Sequence, residues 1–297
     1  MGADEIGGDE LMACYQTHMD QALAGLRMDA ALRRVFPELP SWALRDAFVR
    51  RDVKLDGKRV RADVRVQGGE LVQVYVAERI PTLDVVYEDA DILLVNKRPG
   101  ISVTADDGGG ATLTDLAARY AQEKGEACLP QPVHRLDNQT SGLVLFAKHE
   151  QAQQALEDAF RQRLPEKEYT CLVRGMPKPP KALCRAWLLK DAAAARVTIL
   201  DHERPGSKPI ATAYETIESG PVSRLRVHLI TGRTHQIRAH MASLGHPLLG
   251  DDVYGDRAFN RARKVRRLML CATRLTVQTG GALPALDGRT FEIPCPF

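Results

Sequence analysis

The stretch HRLDNQTSGLVLFAK, residues 134–148, decides how the rest of the chain is read. Polar side chains from His134 to Ser141 run directly into Leu143-Val144-Leu145-Phe146. The apolar half reads as a buried strand over Gly142–Ala147. The polar half reads as a loop at the strand edge, carrying one carboxylate, Asp137, beside Arg135. An ionised aspartate held at a fixed angle can act as a nucleophile, as in glycosyl transfer. The same residues also suit a structural Arg–Asp pair whose turn is closed by Thr140 and Ser141. His134 has only Cys128 and His149 nearby, at no zinc spacing, and reads as a structural imidazole.

Two further clusters carry candidate chemistry. In Thr231-Gly232-Arg233-Thr234-His235-Gln236-Ile237-Arg238, a Gly-Arg turn opens a helix with polar groups crowded into its first turns. Helix N-termini present unpaired N–H groups that suit phosphate. His235 and Arg238, three apart, share a face, and Arg238 can reach a phosphate or a carboxylate. An N-cap network on a solvated helix is the alternative. In Lys167-Glu168-Tyr169-Thr170-Cys171, alternation puts Lys167, Tyr169 and Cys171 on one strand face. A tyrosine there can stack a base, move a proton or simply pack.

Around these clusters the chain divides. Residues 1–24 read as a polar extension, given four acids, no base in the first twelve positions and the Gly7-Gly8 pair. Residues 25–77 read as a small module. Met28, Ala31, Leu32 and Val35 recur at helical spacing with Asp29 as a cap, and Pro37 and Pro40 break that helix. Ser41 caps a second helix, and strands follow at Val53–Leu55 and Leu71–Val76 around an Asp56-Gly57 turn. A larger α/β region begins near residue 84, with helices around Leu113–Tyr120, Ala152–Phe160 and Ile237–Leu244 and a strand around Leu225–Leu229. The loop Asp106–Gly110 lacks the G-x-G-x-x-G pattern of a nucleotide site.

Composition narrows the class. The 297 residues are 44% hydrophobic and 27% charged, ordinary for a globular chain with a real core. No apolar run approaches the roughly 20 residues of a membrane span, and the acidic start is unlike a secretory leader. Six cysteines, none in a C-x-x-C pair, read as free thiols in a reducing cytoplasm. Net charge is only +3, but 25–77 carries eleven Lys/Arg against seven acids, and 257–274 seven Lys/Arg and no acid. Such patches can hold phosphates, or simply be solvated faces.

Taken together, HRLDNQTSGLVLFAK resembles the signature of the RluA-type family of RNA pseudouridine synthases. Four more pieces follow the family's order: DVVYEDADILLVNKRPGISV (84–103), KEYTCLVRG (167–175), ATAYETI (211–217) and TGRTHQIRAHMASLGHPLLGDDVYG (231–255). The resemblance covers 84 to about 276, and residues 26–76 resemble an S4-like RNA-binding module. It implies an α/β (α+β) protein: a catalytic domain over 84–297 with a mixed, mainly antiparallel sheet, preceded by the small module at 25–77. It implies an isomerase that detaches a uracil at its glycosidic nitrogen, turns it and rejoins it through carbon 5, with no cofactor and no metal.

Residue by residue, the family's essential aspartate matches Asp137, which attacks the ribose or the base or otherwise assists base departure. The tyrosine matches Tyr169, implied to pack on the uracil and a candidate to assist loss of the carbon 5 proton. The basic partner matches Arg238, implied to pair with Asp137 and aim it. Arg135 matches the arginine that fills the gap left by an extruded nucleotide. Arg233, His235, Gln236 and Lys167 complete the candidate RNA contacts. The implied partner is RNA, large-subunit ribosomal RNA ahead of transfer RNA; no membrane is implied, and a monomer is the default. The sequence departs from the family at Cys271, where a histidine is common, and at Arg51, Asp56 and Trp42 in the module. A non-catalytic RNA-binding or ribosome-assembly factor is the alternative function; a hydrolase acting on a small substrate through Asp137 lacks a recognisable supporting motif.

Overall fold

The computed structural model describes residues 12–36, 39, 41–77, 83–105, 112–191 and 194–297. The polar-extension reading of residues 1–11, the roles given to Pro37 and Pro40, the capping side chain of Ser41 and the loop 106–110 lie outside what is described. The chain forms two compact units. One comprises the residues up to Leu83 together with Thr104–Tyr120, and the other Asp84–Val103 together with Ala121–Phe297. The stretch Thr104–Tyr120, which sequence places in the larger domain, therefore groups with the smaller unit, where Arg45 and Asp115 approach to 3.7 Å.

In the first unit, β1 (Met12–His18) is followed by α1 (Met28–Val35), α2 (Ser41–Arg50), β2 (Val53–Leu55), β3 (Lys58–Arg59) and β4 (Leu71–Ala77). The strands form an antiparallel sheet in the order β1-β4-β2-β3. Helix α1 forms because Met28, Ala31 and Leu32 recur at its period and bury one face, while Arg33 and Arg34 remain on the solvent side. Arg27 is its N-cap, not Asp29, which lies in the first turn and accepts from Arg27 Nε.

Residues 12–24 are no extension. Strand β1 pairs along the whole of β4, from Met12 opposite Ala77 to His18 opposite Leu71. Met19 is 2% exposed in the core, and Tyr15 meets Phe36 edge-on. The period-two alternation of Ala13, Tyr15 and Thr17 was the usable signal, and the neighbouring acids and glycines masked it. Two of the module's three departures from its family pattern also become explicable. Arg51 ends α2 at φ 62° and Asp56 turns the hairpin at φ 47°, both left-handed, with Asp56 Oδ1 accepting from Leu71 N at 2.9 Å. Asp56 thus stabilises its turn through its own side chain, whereas Arg51 simply bears the strain.

The second unit is built on one large sheet. Its elements are β5 (Val85–Glu88), β6 (Ile92–Lys97), α3 (Leu113–Glu123, shared between the units), β7 (Gln131–Pro132), β8 (Ser141–Ala147), α4 (Glu150–Gln162) and β9 (Glu166–Arg174). There follow β10 (Lys181–Asp191), β11 (Arg196–Leu200), β12 (Lys208–Glu218), β13 (Val222–Leu229), α5 (Gln236–Ser243), α6 (Arg257–Ala262), β14 (Leu270–Thr276) and β15 (Thr290–Glu292). Among the described residues the strand order is β11-β10-β12-β13-β9-β14-β8-β6-β5, with β15 on β14 and β7 on β8. Only β14–β8 is parallel, so the sheet is mixed and mainly antiparallel, as the resemblance implies. β8 is buried along its length, and with β6 and α4 it forms the core around Ile92, Leu94, Leu143, Leu145 and Leu156. No helix among the described residues is long and apolar enough to cross a membrane. All six cysteines are free, and Cys271 lies buried in β14 beside Thr170 and Ser141, a packing position.

One rung of this sheet links the candidate site residues. Lys97 lies opposite Gly142, Gly142 opposite Ala272, Ala272 opposite Tyr169 and Tyr169 opposite Val227. Directly paired residues share a face, so Lys97 and Tyr169 flank the ground above Gly142, three strand spacings or roughly 14 Å apart. Asp137 enters from the loop before β8. Gly142 permits the central pairing: its φ is +115°, and a side-chain carbon there would overlap the Ala272 carbonyl.

Two outcomes follow for stability. Gly142→Ala should cost at least about 3 kcal/mol through overlap and strain, read as a lower urea midpoint or as insoluble protein. Arg51→Gly should raise stability by about 1 kcal/mol by relieving the left-handed residue at the end of α2.

Candidate active site

The site is built on a buried guanidinium. Arg238, in α5, is 4% exposed. Its Nε donates to Asp251 Oδ2 at 2.7 Å, and its Nη2 to Asp251 Oδ1 at 2.9 Å and Asp252 Oδ1 at 3.2 Å. This two-point grip fixes the guanidinium plane. The remaining nitrogen, Nη1, stands 3.8 Å from Asp137 Oδ2. Asp251 Oδ1 also accepts from the N–H groups of Val253 and Tyr254. Burial pushes the Asp251 carboxyl up, but Arg238 and these N–H groups outweigh it and hold it below the ordinary range. Burial likewise disfavours the Arg238 cation, and its bonds to Asp251 more than restore it.

Arg238 therefore differs in one respect from the sequence expectation. Its hydrogen bonds go to Asp251 and Asp252, and it meets Asp137 across a longer, purely electrostatic gap. Sequence reading missed Asp251. Its signal was the acidic pair Asp251-Asp252 just beyond the helix-ending Gly245 and Pro247.

His235 N-caps α5 in a left-handed conformation, φ 53°, strained for a side chain of its size. That conformation brings Nε2 to 4.0 Å from the same Asp137 Oδ2, while Nδ1 lies 3.0 Å from Tyr254 Oη. Tyr254 Oη accepts from Val197 N, so its own proton is available for His235 Nδ1. This network favours the tautomer that carries its proton on Nε2, facing the carboxylate. Burial, countered in part by Asp137, lowers the His235 pKa. Asp137 is 25% exposed in its side chain. Both basic neighbours approach Oδ2; among the described residues nothing hydrogen-bonds Oδ1, the oxygen free to meet a reacting atom.

Lys97 holds the loop from beneath, and sequence reading missed it too. Its fully buried Nζ donates to the carbonyls of Ile101 at 2.7 Å, Asn138 at 2.8 Å and Arg98 at 3.1 Å. Asn138 adds bonds from its side chain to Ser102 Oγ and from Gly100 N to its own carbonyl. Burial lowers the Lys97 pKa to about 7, against a raising contribution from the Asp137 charge. Tyr169 is buried on β9, within electrostatic reach of Asp137; burial first, then that charge, pushes its phenol well above 10. It therefore enters any reaction as a neutral phenol.

The other candidates separate. Gln236 uses all four hydrogen-bonding positions internally. Its Oε1 accepts from Thr231 Oγ1 and Arg233 N, and its Nε2 donates to Ala211 O and Thr212 Oγ1. Its amide has no capacity left for RNA, so the substrate-contact reading gives way to a brace for the turn before α5. Arg135 and Arg233 are exposed. Lys167 has its Nζ 5.3 Å from the centre of the Phe160 ring, and burial lowers its pKa. His134 is structural: Nε2 accepts from Leu145 N, the ring stacks on Phe160, and burial lowers its pKa to about 3. Among the described residues no group of three or more His, Cys, Asp or Glu could hold a metal.

Lys97→Met tests the loop's support. Losing this donor should cost about 3 kcal/mol. The pH dependence has a definite sign. Between pH of about 7 and the ordinary lysine value of 10.5, the unfolded chain keeps a proton that the folded Lys97 has released, leaving an amine with two N–H donors for the three carbonyls. Stability contributed by this group therefore rises with pH across that window. Urea titrations at stepped pH should show the rise in the wild-type protein and its absence in Lys97→Met.

A family model described as RNA pseudouridylate synthase matches residues 91–243. The uncharacterized RNA pseudouridine synthase YhcT of Bacillus subtilis (strain 168) is 32% identical over 243 residues, covering 77% of each chain. The ribosomal large subunit pseudouridine synthase C of Escherichia coli (strain K12) is 33% identical over 255 residues, covering 80% of this chain and 79% of that protein. Among solved structures, human RNA pseudouridylate synthase domain containing 1 is similar with a TM-score of 0.60 and 26% identity, covering 74% of this chain and 87% of that one. The ordered motifs, the mixed sheet and these matches agree: the chain belongs to the RluA-type family of RNA pseudouridine synthases.

Proposed function

We propose that this isomerase converts specific uridines of large-subunit ribosomal RNA to pseudouridine, with Asp137 as its essential carboxylate. One observation carries the reading. Asp137 is partly exposed, with one oxygen flanked by Arg238 and His235 and the other open. In the reaction the bond from N1 of the base to C1′ breaks and a bond from C5 to C1′ forms; C5 loses a proton and N1 gains one. Asp137 acts on the electrophilic ribose carbon or on the base. Arg238 aims it without sharing a hydrogen bond, which leaves the carboxylate able to move onto its target. Tyr169 packs against the uracil as a neutral phenol, and Arg135 fills the space left by the extruded nucleotide. Arg233, His235 and Lys167 complete the RNA-facing surface.

Ribosomal RNA is preferred to transfer RNA because relatives from several bacteria are named as large-subunit synthases. Residues 25–77, extended by β1, serve as an S4-like module that follows phosphates through its surplus of arginines.

Asp137→Asn should abolish pseudouridine formation, by about 1000-fold or more, while thermal unfolding and RNA binding stay near wild type. Arg238→Ala should slow the single-turnover rate by at least about 100-fold and weaken RNA binding far less. Equal losses in both would make Arg238 a phosphate contact. The decisive assay is a transcriptome-wide map of carbodiimide adduct stops, comparing a strain lacking the gene with strains restored by wild type or by Asp137→Asn. Sites returning only with wild type would identify the RNA; an unchanged map would overturn the ribosomal assignment.

A further inference from the structure

The catalytic reading leaves the basic segment after Gly255 unused. Arg257, Arg261, Arg263, Lys264, Arg266 and Arg267 fall within eleven residues that contain no acid, and all six are exposed. Among the described residues none of them has a carboxylate partner. Arg257 reaches only the main-chain oxygen of Asp252, and Arg263 lies 4.8 Å from the centre of the Phe259 ring. The nearby acids are otherwise engaged: Asp251 and Asp252 with Arg238, and Asp256 with Arg174 and Phe259 N. Elsewhere in this unit cations commonly sit in pairs, such as Arg226 with Glu168, Lys148 with Glu88 and Arg274 with Glu292. Six like charges without a counter-charge repel one another, and a polyanion relieves that repulsion.

The segment is also firmly joined to the site. Asn260 accepts from Gly250 N at 3.1 Å and donates to Asp251 O at 3.5 Å. Val265 N bonds back to Asn260 O, and Met269 N to Leu249 O. Gly250 lies so close to Arg267 that a side-chain carbon there would overlap the Arg267 carbonyl. The cations are therefore carried on the backbone that supplies Asp251, the residue that grips Arg238.

We infer that residues 257–267 form a phosphate-binding face that holds the RNA backbone flanking the target uridine, independently of the 25–77 module. This rests on the reading of the protein as an RNA synthase. The face adds affinity without reading bases, and it is carried on the backbone that leads from Asp251.

The test uses the full-length protein and an unmodified transcript of large-subunit ribosomal RNA. Affinity is measured between roughly 50 and 200 mM salt, and single-turnover rate at saturating RNA, for wild type and the triple variant Arg261→Gln, Arg263→Gln, Arg266→Gln. The slope of log affinity against log salt should become shallower by about 2 to 3, with affinity at the low end falling about 10-fold or more. The saturated rate should stay within about twofold. A triple Arg→Lys variant should keep the wild-type slope. Unchanged affinity and slope in the Gln variant would overturn the proposal. So would an equal loss in the Lys variant, which would mean packing and not charge. Wild-type protein that binds with the expected slope but converts no uridine would defeat the ribosomal-RNA reading and leave the phosphate face standing.

Discussion

The Asp251 carboxylate, shut away from solvent, governs the geometry of this site. A buried anion is tolerable only when its lone pairs are filled, and Arg238 with two backbone N–H groups fills them. The cost of breaking that arrangement keeps the guanidinium in one plane and makes Nη1 the only nitrogen left to face Asp137. Tyr254 gives its N–H to Asp251 and its hydroxyl to His235, so the same carboxylate also fixes the second group that approaches Asp137. Asp137 itself is left outside this tight network. A carboxylate held in bidentate contact would have to surrender those bonds before meeting another group; one standing 3.8 Å from the guanidinium need not.

The supports come from distant parts of the chain. Lys97 holds the loop, Gly142 lets β14 approach, Tyr169 stands on the next strand, and Arg238 and Asp251 arrive more than sixty residues later. The strained His235 belongs to the same pattern: an unfavourable backbone conformation persists where surrounding bonds over-determine it.

This explains what sequence could and could not reveal. Asp137, Tyr169 and Arg238 could be singled out because each lies in a contiguous motif, and the fold brings Arg238 to 3.8 Å from Asp137 and Tyr169 within reach of its charge. The mainly antiparallel sheet was legible through the resemblance. Lys97 and Asp251 sat inside quoted motifs yet carried no mark of their roles, because complete burial of a charged group is a tertiary fact. Gln236 looked like a substrate contact because an amide at a helix start is equally suited to bind or to brace, and only its four partners decide. β1 was missed because short alternation beside acidic residues is a weak signal, made stable by pairing with β4 some sixty residues away.

The place of β14 in the sheet has a consequence for how the molecule is made. Strands β8 and β9 are synthesised about a hundred residues before the strand that lies between them. Until Leu270–Thr276 leaves the ribosome, both present unsatisfied edges toward the position it will fill, and such edges invite pairing with other chains. The nascent protein must therefore keep an internal gap open for about a hundred residues of its synthesis. The ground above Gly142 can reach its final form only when nearly the whole chain exists, so incomplete copies lack the central strand that pairs with Gly142 and Tyr169.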